Sequence, residues 1–543
     1  MVDLAASVGL VSTMVRAGVI TAMRPDKYLR IMAAAQRDGL SVTSGFAMSA
    51  QRSPDRAALI DELGTCTFRE LDQRGDALAA ALAALPRRAH CSTFTVAIMC
   101  RNHRGFVESL IAANRVGADV LLLNTSFAGP ALAEVVARES VDVVIYDQEF
   151  APSVDTALTG LDDTVRVLGW TDTDPGELPT VAGLIGEYAG QHPVKPSGKG
   201  KLILLTSGTT GTPKGAARTG GGVNELKAIL ERVPWHTDRT VVVAAPMFHA
   251  WGFSQLVFAA SMACTVVTRR KFDPEATLEL VDKHRAEGLC VVPVMFDRMM
   301  DLPDEVLDRY SGRSLRFATA SGSRMRPDVV IKFMDRFGDV IYNNYNATEA
   351  GMIATATPAD LRAAPDTAGR PVVGTQIKIL DDTLAEVPPG EVGQIFVRNT
   401  SQFDGYTGES TGKGRTFHEG FMASGDLGRL DADGRLFVVG RDDEMIVSGG
   451  ENVYPIEVEK TLMSHSAVAE AGVIGVDDES YGQRLVAFVV LSGEASTDEL
   501  KQHVRDNLAN YKVPREITVL DELPRNNTGK VLRRELQERA ARG

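Results

Sequence analysis

The chain alternates short β-branched and apolar runs with longer helical segments, and this alternation constrains its fold more than any other feature. The pattern starts near residue 93 and resumes near residue 240. Strand-like runs cover 93–99, 119–123, 141–146, 240–245, 264–268, 289–292, 315–319 and 340–343, and helix-like segments cover 106–115, 132–138, 253–262, 274–285 and 327–337. Strands that alternate with helices in this way pair in parallel. We therefore expect an α/β fold that binds ligands at the carboxyl ends of its strands.

The length of 543 residues exceeds what one hydrophobic core usually supports, so at least two domains are expected. Between about 370 and 440, short apolar pieces separated by proline and glycine predict a small antiparallel β unit. A separate pattern of strands and helices follows the polar junction at 440–443. We predict a large N-terminal domain of parallel-rich αβ sheets plus a small β unit over 1–442, and a mobile smaller α+β C-terminal domain over 443–543.

Charge and cysteine content exclude several classes of protein. The formal net charge of −13 argues against nucleic acid as a partner. The cysteines are odd in number, widely spaced and without a Cys-x-x-Cys pair, so neither a disulfide framework nor a zinc cluster is expected; they are Cys66, Cys91, Cys100, Cys264 and Cys290. The sequence shows no basic leader before an apolar core and no apolar run of about 18 residues, so neither secretion nor a membrane span is expected.

Residues 8–35 mix apolar and basic side chains in a pattern typical of amphipathic helices. Such helices usually pack on the body of their own protein, and we expect that use here. Contact with a membrane surface is the alternative, because Arg16, Arg24, Lys27 and Arg30 accompany the apolar positions. The expected location is cytoplasmic, with peripheral membrane contact as the alternative.

An apolar strand at 202–206 runs into a loop of hydroxyl groups, glycines and one lysine, a combination typical of phosphate binding. The Walker loop requires Gly-Lys-Ser/Thr where this chain has Pro213-Lys214-Gly215, which argues against a P-loop NTPase. From composition alone, a flexible linker is the alternative. The candidate phosphate-binding residues are Thr206, Ser207, Gly208, Thr209, Thr210, Gly211 and Lys214.

Two further segments place polar groups after predicted strands. Thr348 and Glu349 follow the strand that ends near residue 343, where threonine suits a phosphate and glutamate suits Mg²⁺. Asp426 lies among small residues and suits the hydroxyl groups of a ribose. Taken alone, a Gly-Asp pair more often serves only to form a turn of the backbone, and this is the alternative for Asp426.

Taken together and in order, these segments resemble the adenylate-forming superfamily, which includes acyl-CoA synthetases, nonribosomal adenylation domains and firefly-type luciferases. The resemblance runs from about residue 45 to the C-terminus, and within the superfamily we expect the chain to resemble fatty acyl-CoA synthetases most. The segments that carry it are 206–215, 246–253, 345–349, 424–426, 440–455 and 524–530.

The resemblance implies an acid–thiol ligase that uses ATP, Mg²⁺ and CoA. A carboxylate attacks the α-phosphate of ATP, pyrophosphate leaves, and the thiol of CoA then takes the acyl group. Lys530 is implied to bridge the two reacting anions and to offset their repulsion. Thr348 and the 206–215 loop are implied to hold phosphates, and Glu349 to hold Mg²⁺. A solvated lysine in a basic tail is the alternative for Lys530.

The same resemblance implies where the nucleotide and the pantetheine arm of CoA bind. Tyr345 is expected to stack on adenine, Asp426 and Arg441 to hold the ribose, and Asp443 to act as the pivot of the C-terminal domain. The full set of implied nucleotide-site and CoA-site residues outside the phosphate loop is Ser321, Gly322, Ser323, Asn344, Tyr345, Asn346, Thr348, Asp426, Arg441, Ser448, Gly449 and Gly450.

The expected acyl pocket is almost entirely apolar, which favours a fatty acid over an amino acid. Its residues are Met247, His249, Trp251, Phe253, Val292, Met295, Phe296, Ala320 and Gly322. His249 is expected at the gate between this pocket and the thiol tunnel, with a packed histidine as the alternative. We expect an ATP-dependent fatty acid–CoA ligase for medium to long chains, since each buried methylene contributes about 0.8 kcal/mol. The alternatives are a fatty acyl-AMP ligase or adenylation enzyme that loads a carrier protein, and a non-catalytic lipid- or nucleotide-binding relative.

Overall fold

A computed structural model describes residues 4–38, 41–85, 94–194, 196, 198–206, 214–218, 223–347, 351–399, 416–441, 445–448, 451–478, 482–526 and 529–542. The α-helices are α1 (Leu4–Arg16), α2 (Pro25–Asp38), α3 (Ser44–Arg52), α4 (Phe68–Ala84), α5 (Arg104–Arg115), α6 (Gly129–Arg138), α7 (Ala151–Ala157), α8 (Val181–Glu187), α9 (Val223–Arg232), α10 (Ala250–Ser261), α11 (Pro274–Lys283), α12 (Pro293–Met300), α13 (Asp304–Leu307), α14 (Pro327–Phe337), α15 (Pro358–Ala363), α16 (Pro455–Met463), α17 (Thr497–Asn507) and α18 (Arg533–Ala540).

The strands belong to four sheets. In chain order they are β1 (Ala57–Asp61), β2 (Gly64–Thr67), β3 (Thr95–Met99), β4 (Asp119–Leu122), β5 (Val143–Asp147), β6 (Val165–Trp170), β7 (Leu202–Thr206), β8 (Lys214–Arg218), β9 (Thr240–Val243), β10 (Thr265–Val267), β11 (Gly288–Val291), β12 (Phe317–Ala320), β13 (Ile341–Ala347), β14 (Gly351–Ala356), β15 (Arg370–Pro371), β16 (Gln376–Leu380), β17 (Gly393–Arg398), β18 (Phe417–His418), β19 (Phe421–Leu430), β20 (Leu436–Arg441), β21 (Ile446–Ser448), β22 (Glu451–Val453), β23 (Val468–Asp478), β24 (Gly482–Leu491) and β25 (Glu516–Val519).

Two large sheets are mainly parallel, as the alternating pattern predicts. The first has the order β15-β14-β13-β12-β11-β9-β10-β1-β2, and every pair from β13 to β1 is parallel. The second has the order β6-β5-β3-β4-β7-β8, with only its β7–β8 pair antiparallel. The β7–β8 pair is a hairpin in which Thr206 lies opposite Lys214, so the Gly/Thr segment connects two strands of one sheet.

Two smaller sheets follow. Strands β16 to β20 form an antiparallel sheet, as expected for the small β unit. Strands β21 to β25 form the last sheet, and α16 and α17 share a hydrophobic core with it, while α18 packs on β23. The predicted fold class, a mixed α/β chain with parallel-rich sheets and a smaller C-terminal α+β part, is confirmed.

Local sequence signals explain where several of these elements begin. Thr67 caps α4 in a capping box with Glu70, whose side chain accepts a hydrogen bond from the backbone N–H of Thr67. Asp273 caps α11, where Pro274 occupies the first helical position. All five residues of β3 and of β5 are buried, as expected for strands with helices on both faces. Each buried Val, Ile or Leu there stabilises the fold by about 1.5–3 kcal/mol.

The N-terminal segment forms two helices, of which α2 packs on α3 and α1 contacts α9. These contacts are compatible with packing on the protein itself, but Val11, Val15, Ile20, Tyr28, Leu29 and Met32 are exposed. Packing and the alternative, membrane contact, both stay predictions. Within the described ranges, no helix is long and apolar enough to cross a bilayer. The four described cysteines are buried and free, and Cys91 lies outside the described residues.

Candidate active site

Polar side chains meet where the parallel strands β12 and β13 lie side by side. Asn344 donates hydrogen bonds to Thr319 Oγ1 at 2.7 Å and to the Ala320 carbonyl at 3.1 Å. Its own Oδ1 accepts a hydrogen bond from Thr355 Oγ1 at 3.0 Å. Asn346 donates to Ser321 Oγ at 3.2 Å, which joins the end of β13 to the turn after β12. Sequence-predicted nucleotide-site residues from two segments are thus brought together.

A second polar cluster joins β13 to the small β unit. The hydroxyl group of Tyr345 donates a hydrogen bond to Asp426. Arg441 lies opposite Asp426 in the β19–β20 register, with Arg441 Nη1 at 3.9 Å from Asp426 Oδ1. Burial and the charge of Asp426 raise the pKa of Tyr345 well above its usual value, so the tyrosine stays a neutral donor. The residues expected to hold adenine and ribose are therefore neighbours.

A cavity of about 150 Å³ lies beside the first of these clusters. Its aromatic wall consists of Trp235, Trp251, Phe258 and His249. Trp251 is held in place because its indole N–H donates to the Val291 carbonyl at 2.8 Å. The other lining residues are Leu204, Ile229, Val233, Ala250, Ser254, Gln255, Thr319, Ser321, Gly322, Asn344, Asn346, Ala347, Gly351 and Met352. Gly322 adopts φ +102°, a left-handed conformation that favours glycine.

The residues expected to line the acyl pocket divide into two groups. His249, Trp251 and Gly322 line the cavity. The remaining six are at most 6% exposed and belong to the hydrophobic core clusters: Met247, Phe253, Val292, Met295, Phe296 and Ala320. Met295 also lines the larger cavity described below. The role of these six residues in an acyl pocket stays a prediction.

Several lining residues were missed by the reading of the sequence. The i, i+3, i+4, i+7 spacing of one face of α10 connects the predicted Trp251 with three missed residues, Ser254, Gln255 and Phe258. The periodicity of this helix could therefore have indicated them. Trp235 lies between α9 and β9 and packs edge-on against Phe258, with ring centroids 4.9 Å apart. No local pattern points to Trp235, because only the tertiary structure brings it to the cavity.

His249 precedes α10 and is neutral at physiological pH. Burial lowers its pKa to about 4, and its Nδ1 is a buried atom without a hydrogen-bond partner. A neutral imidazole leaves the cavity wall uncharged, which suits an apolar ring.

The pH dependence of protein stability tests whether the His249 side chain is buried and neutral. The unfolded chain protonates His249 near its ordinary pKa, so stability is present above about pH 6.5 and is lost as pH falls toward 4. At about pH 5 this loss is on the order of 2 kcal/mol. We expect the decrease in unfolding free energy between about pH 7 and about pH 5, measured by urea titration, to be smaller in His249→Phe. An equal decrease in both proteins would contradict the buried, neutral histidine.

A larger, basic cavity of about 600 Å³ lies against Pro246 and Phe248. Its lining includes six cationic side chains and two carboxylates: Arg101, Arg270, Lys271, Arg298, Arg525, Arg539, Glu522 and Glu535. Glu149 pairs with Arg101 at 2.7 Å, with Arg270 at 2.9 Å and with Lys271 at 3.4 Å. Arg270 also pairs with Asp172 at 2.7 Å, and Arg525 pairs with Glu470 at 2.8 Å. The remaining excess of positive charge is small, and it suits a phosphorylated ligand.

Lys530 follows a tight loop that borders the basic cavity. Its backbone N–H donates to Asn526 Oδ1 at 2.9 Å, and its carbonyl accepts from the Asn526 N–H at 2.9 Å. Gly529 is buried with φ +79°, and an added Cβ would overlap Val294 at the start of α12. The loop is therefore docked on the large N-terminal part, with the Lys530 side chain exposed.

One buried group of metal-type donors occurs in the described ranges: Cys100, His103 and Asp147. His103 Nδ1 accepts from the Gly105 N–H at 3.0 Å, which leaves its Nε2–H to donate to Asp147 at 2.8 Å. Because both ring nitrogens of His103 are already used, the group serves packing and hydrogen bonding between β3, α5 and β5.

The remaining predicted site residues lie in three strands, in the turn after β12 or outside the described ranges. Thr206, Lys214 and Ser448 lie in strands β7, β8 and β21. The predicted residues outside the described ranges are Ser207, Gly208, Thr209, Thr210, Gly211, Thr348, Glu349, Asp443, Gly449 and Gly450. Ser323 lies in the turn after β12 and is partly buried. Their roles stay predictions.

Comparisons with known proteins identify relatives that cover most of the chain. The chain is 32% identical over 456 residues to an indoleacetate–CoA ligase of Aromatoleum aromaticum, covering 82% of this chain and 88% of that protein. It is 31% identical over 497 residues to a feruloyl-CoA synthase of an Amycolatopsis species, covering 90% and 97%. A solved structure of o-succinylbenzoate CoA synthetase from Bacillus subtilis, in complex with its acyl-adenylate intermediate, matches with a TM-score of 0.75 and 28% identity, covering 91% of this chain and 97% of that chain.

Two family models also match. Residues 46–407 match the AMP-binding enzyme family, and residues 457–530 match the AMP-binding enzyme C-terminal domain. The first match alone spans more than half of the chain and contains the Gly/Thr segment, His249, Tyr345 and Glu349. The chain therefore belongs to the AMP-binding enzyme family, in agreement with the resemblance of its motifs to the adenylate-forming superfamily.

Proposed function

We propose that this protein is an ATP-dependent acid–CoA ligase that activates a compact acid containing an aromatic ring. The observation that carries the proposal is the cavity of about 150 Å³ between Trp235, Trp251 and Phe258. An engineered cavity of about 150 Å³ in another protein binds one benzene molecule. The volume thus suits about one ring, and a long alkyl chain such as that of palmitate exceeds it.

The names of the relatives support the same class of acid. Indoleacetate, ferulate and succinylbenzoate each combine a carboxylate with an aromatic ring. Aromatic walls suit such rings, because offset and edge-to-face contacts add about 0.5–1.5 kcal/mol per ring pair to the gain from burial. The fatty acid expected from the apolar composition is therefore the less favoured substrate.

The first half-reaction joins the acid to ATP. With its ring in the cavity, the acid directs its carboxylate toward the turn at Ser321 and Gly322. Tyr345 offers a ring face to adenine, and Asp426 with Arg441 offers polar groups to the ribose. Lys530 would enter between the carboxylate and the α-phosphate, where its charge offsets their repulsion. Mg²⁺ neutralises phosphate charge in such reactions, and Glu349 stays its predicted ligand.

The second half-reaction transfers the acyl group to CoA. The basic cavity supports a co-substrate with several phosphate groups. Pro246 and Phe248 line it, and the next residue, His249, lines the aromatic cavity. A thiol that approaches past His249 meets a neutral imidazole, so this residue shapes the passage and carries no charge. A pivot at Asp443 would present Ser448, Gly449 and Gly450 to the pantetheine arm.

A substrate panel tests the proposal. Purified protein is supplied with ATP, Mg²⁺, CoA and one acid at a time: benzoate, phenylacetate, indole-3-acetate, octanoate or palmitate. We expect kcat/KM for the best ring-containing acid to exceed that for either fatty acid by at least about tenfold, because aromatic walls favour ring contacts and the cavity is too small for a long alkyl chain. AMP and CoA thioester are measured by chromatography.

Other outcomes separate the alternatives. A preference for octanoate or palmitate would contradict the aromatic assignment and favour a fatty acid–CoA ligase. AMP formation without a CoA thioester would favour an enzyme that loads a carrier protein. No AMP with any acid would favour a non-catalytic relative.

A further inference from the structure

Gln255 is a buried amide in an otherwise largely apolar wall. It is 7% exposed, lies on the inner face of α10 and lines the aromatic cavity. Its Oε1 accepts a weak hydrogen bond from the thiol of Cys290 at 3.6 Å. Its Nε2 donates to Ser254 Oγ at 3.2 Å. An amide nitrogen carries two N–H groups, and the described residues supply a partner for one of them.

A buried N–H without a partner is costly, so a group from the bound acid is the natural partner. Trp251 and Phe258 flank Gln255 on the same helix face, so a ring acid that fills the cavity takes the place of water beside the amide. Ser254 Oγ donates its hydrogen to the Trp251 carbonyl at 2.7 Å and accepts one N–H of Gln255, so it satisfies one of the two amide N–H groups. A hydrogen-bond acceptor on a ligand that fills the cavity would satisfy the second N–H.

The position of Gln255 along α10 shows which end of the acid it meets. His249 precedes the first residue of α10, and six residues of helix correspond to a rise of about 9 Å. The predicted nucleotide-site residues Ser321, Gly322 and Asn346 border the cavity, so the carboxylate faces them. A benzoate-sized acid that directs its carboxylate to that border extends its ring along α10 toward Gln255.

We propose that Gln255 is a specificity-determining residue that binds a hydrogen-bond acceptor on the ring of the acid, at the end opposite to the carboxylate. This inference rests on the proposed function and narrows it. The substrate class becomes single-ring aromatic acids with a hydroxyl, methoxy or keto substituent, or with a ring nitrogen. A site that offers a buried donor discriminates strongly against an analogue of the same shape that lacks the acceptor.

Pairs of acids with the same shape test this role. Hydroxyl and methyl groups have similar volumes, so we compare 4-hydroxybenzoate with 4-methylbenzoate and 3-hydroxybenzoate with 3-methylbenzoate. The ratio of kcat/KM within each pair is measured for the wild-type protein, Gln255→Leu and Gln255→Met. We expect the wild-type protein to prefer the hydroxyl acid of at least one pair by a factor on the order of 10 to 100, and both variants to lose or reverse that preference.

The controls separate this role from a structural one. Ser261→Ala changes an exposed residue at the other end of α10 and is expected to keep the wild-type ratio. Gln255→Met conserves side-chain volume, so it tests the amide even where Gln255→Leu disturbs packing. A wild-type ratio near one in both pairs, or variants that lower both acids of a pair equally, would overturn the role of Gln255 while the ligase activity stands. Failure of the wild-type protein to activate any ring acid would overturn the proposed function itself.

Discussion

Replacing Lys530 with alanine is expected to lower the rate of acyl-adenylate formation by at least about a hundredfold. Carboxylate and α-phosphate are both anions, so their approach is opposed unless a cation lies between them. The loop that carries Lys530 is closed by two hydrogen bonds between the Lys530 backbone and Asn526, one of them to the Asn526 side chain, and it docks on Val294 through Gly529. Loss of the ammonium group alone therefore removes charge and leaves the loop in place. Release of pyrophosphate in single-turnover mixtures measures the effect.

The second half-reaction is the internal control for this variant. Thioester formation from supplied acyl-AMP and CoA is expected to stay near the wild-type rate in Lys530→Ala, because the lysine acts only in the first step. Arg534→Ala is a matched variant, since Arg534 is exposed nearby on α18 and pairs only with Glu538 in the described residues. It should keep both rates. Equal losses in the two half-reactions of Lys530→Ala would contradict the assignment.

Gly252→Ala is expected to lower the free energy of unfolding by about 1–3 kcal/mol. It is also expected to lower kcat/KM by a factor on the order of a hundred. Gly252 lies in the first turn of α10, where an added Cβ would overlap the backbone carbonyl of Pro246. Backbone cannot swing aside as a flexible side chain does, so the helix must move. Movement of this turn displaces Trp251 and His249, which line the aromatic cavity.

A second glycine provides the matched control. Gly186 lies in helix α8, is exposed, and an added Cβ there meets no atom within 4 Å. Gly186→Ala should be neutral or stabilise the protein by up to about 1 kcal/mol, since alanine is the better helix former. Urea unfolding and the rate of AMP formation are measured for both variants. A Gly252→Ala protein with wild-type stability and activity would contradict the close packing of α10 on the 246 segment.

The sequence predicted the fold class because its signals are local. Period-two and period-3.6 patterns reflect which side chains share a face, and alternating strands and helices leave a parallel sheet as the main solution. The order of the motifs was sufficient to identify the family, since the 206–215, 345–349 and 524–530 segments each carry recognisable residue types. Both predictions are confirmed by the strand pairing and by the family match.

The aromatic cavity shows what local signals leave undecided. Met247, Phe253 and Trp251 lie in one motif, yet only Trp251 reaches the cavity, because packing against the sheet decides which face of α10 is covered. Trp235 reaches the same wall from a loop before β9. The sequence also missed the partner strand β8, which turns the Gly/Thr segment into a hairpin connection.

By itself, the sequence determined that this chain folds into parallel α/β sheets and carries the ordered motifs of an adenylate-forming enzyme. Only the tertiary structure defined the cavity of about 150 Å³ on which the proposal of a ring-containing acid rests. The physical reason is that polarity is a property of each residue and can be read from composition. Volume is a property of the space between residues, and here that space is bounded by side chains from α9, α10, β12 and β13 that lie more than a hundred positions apart.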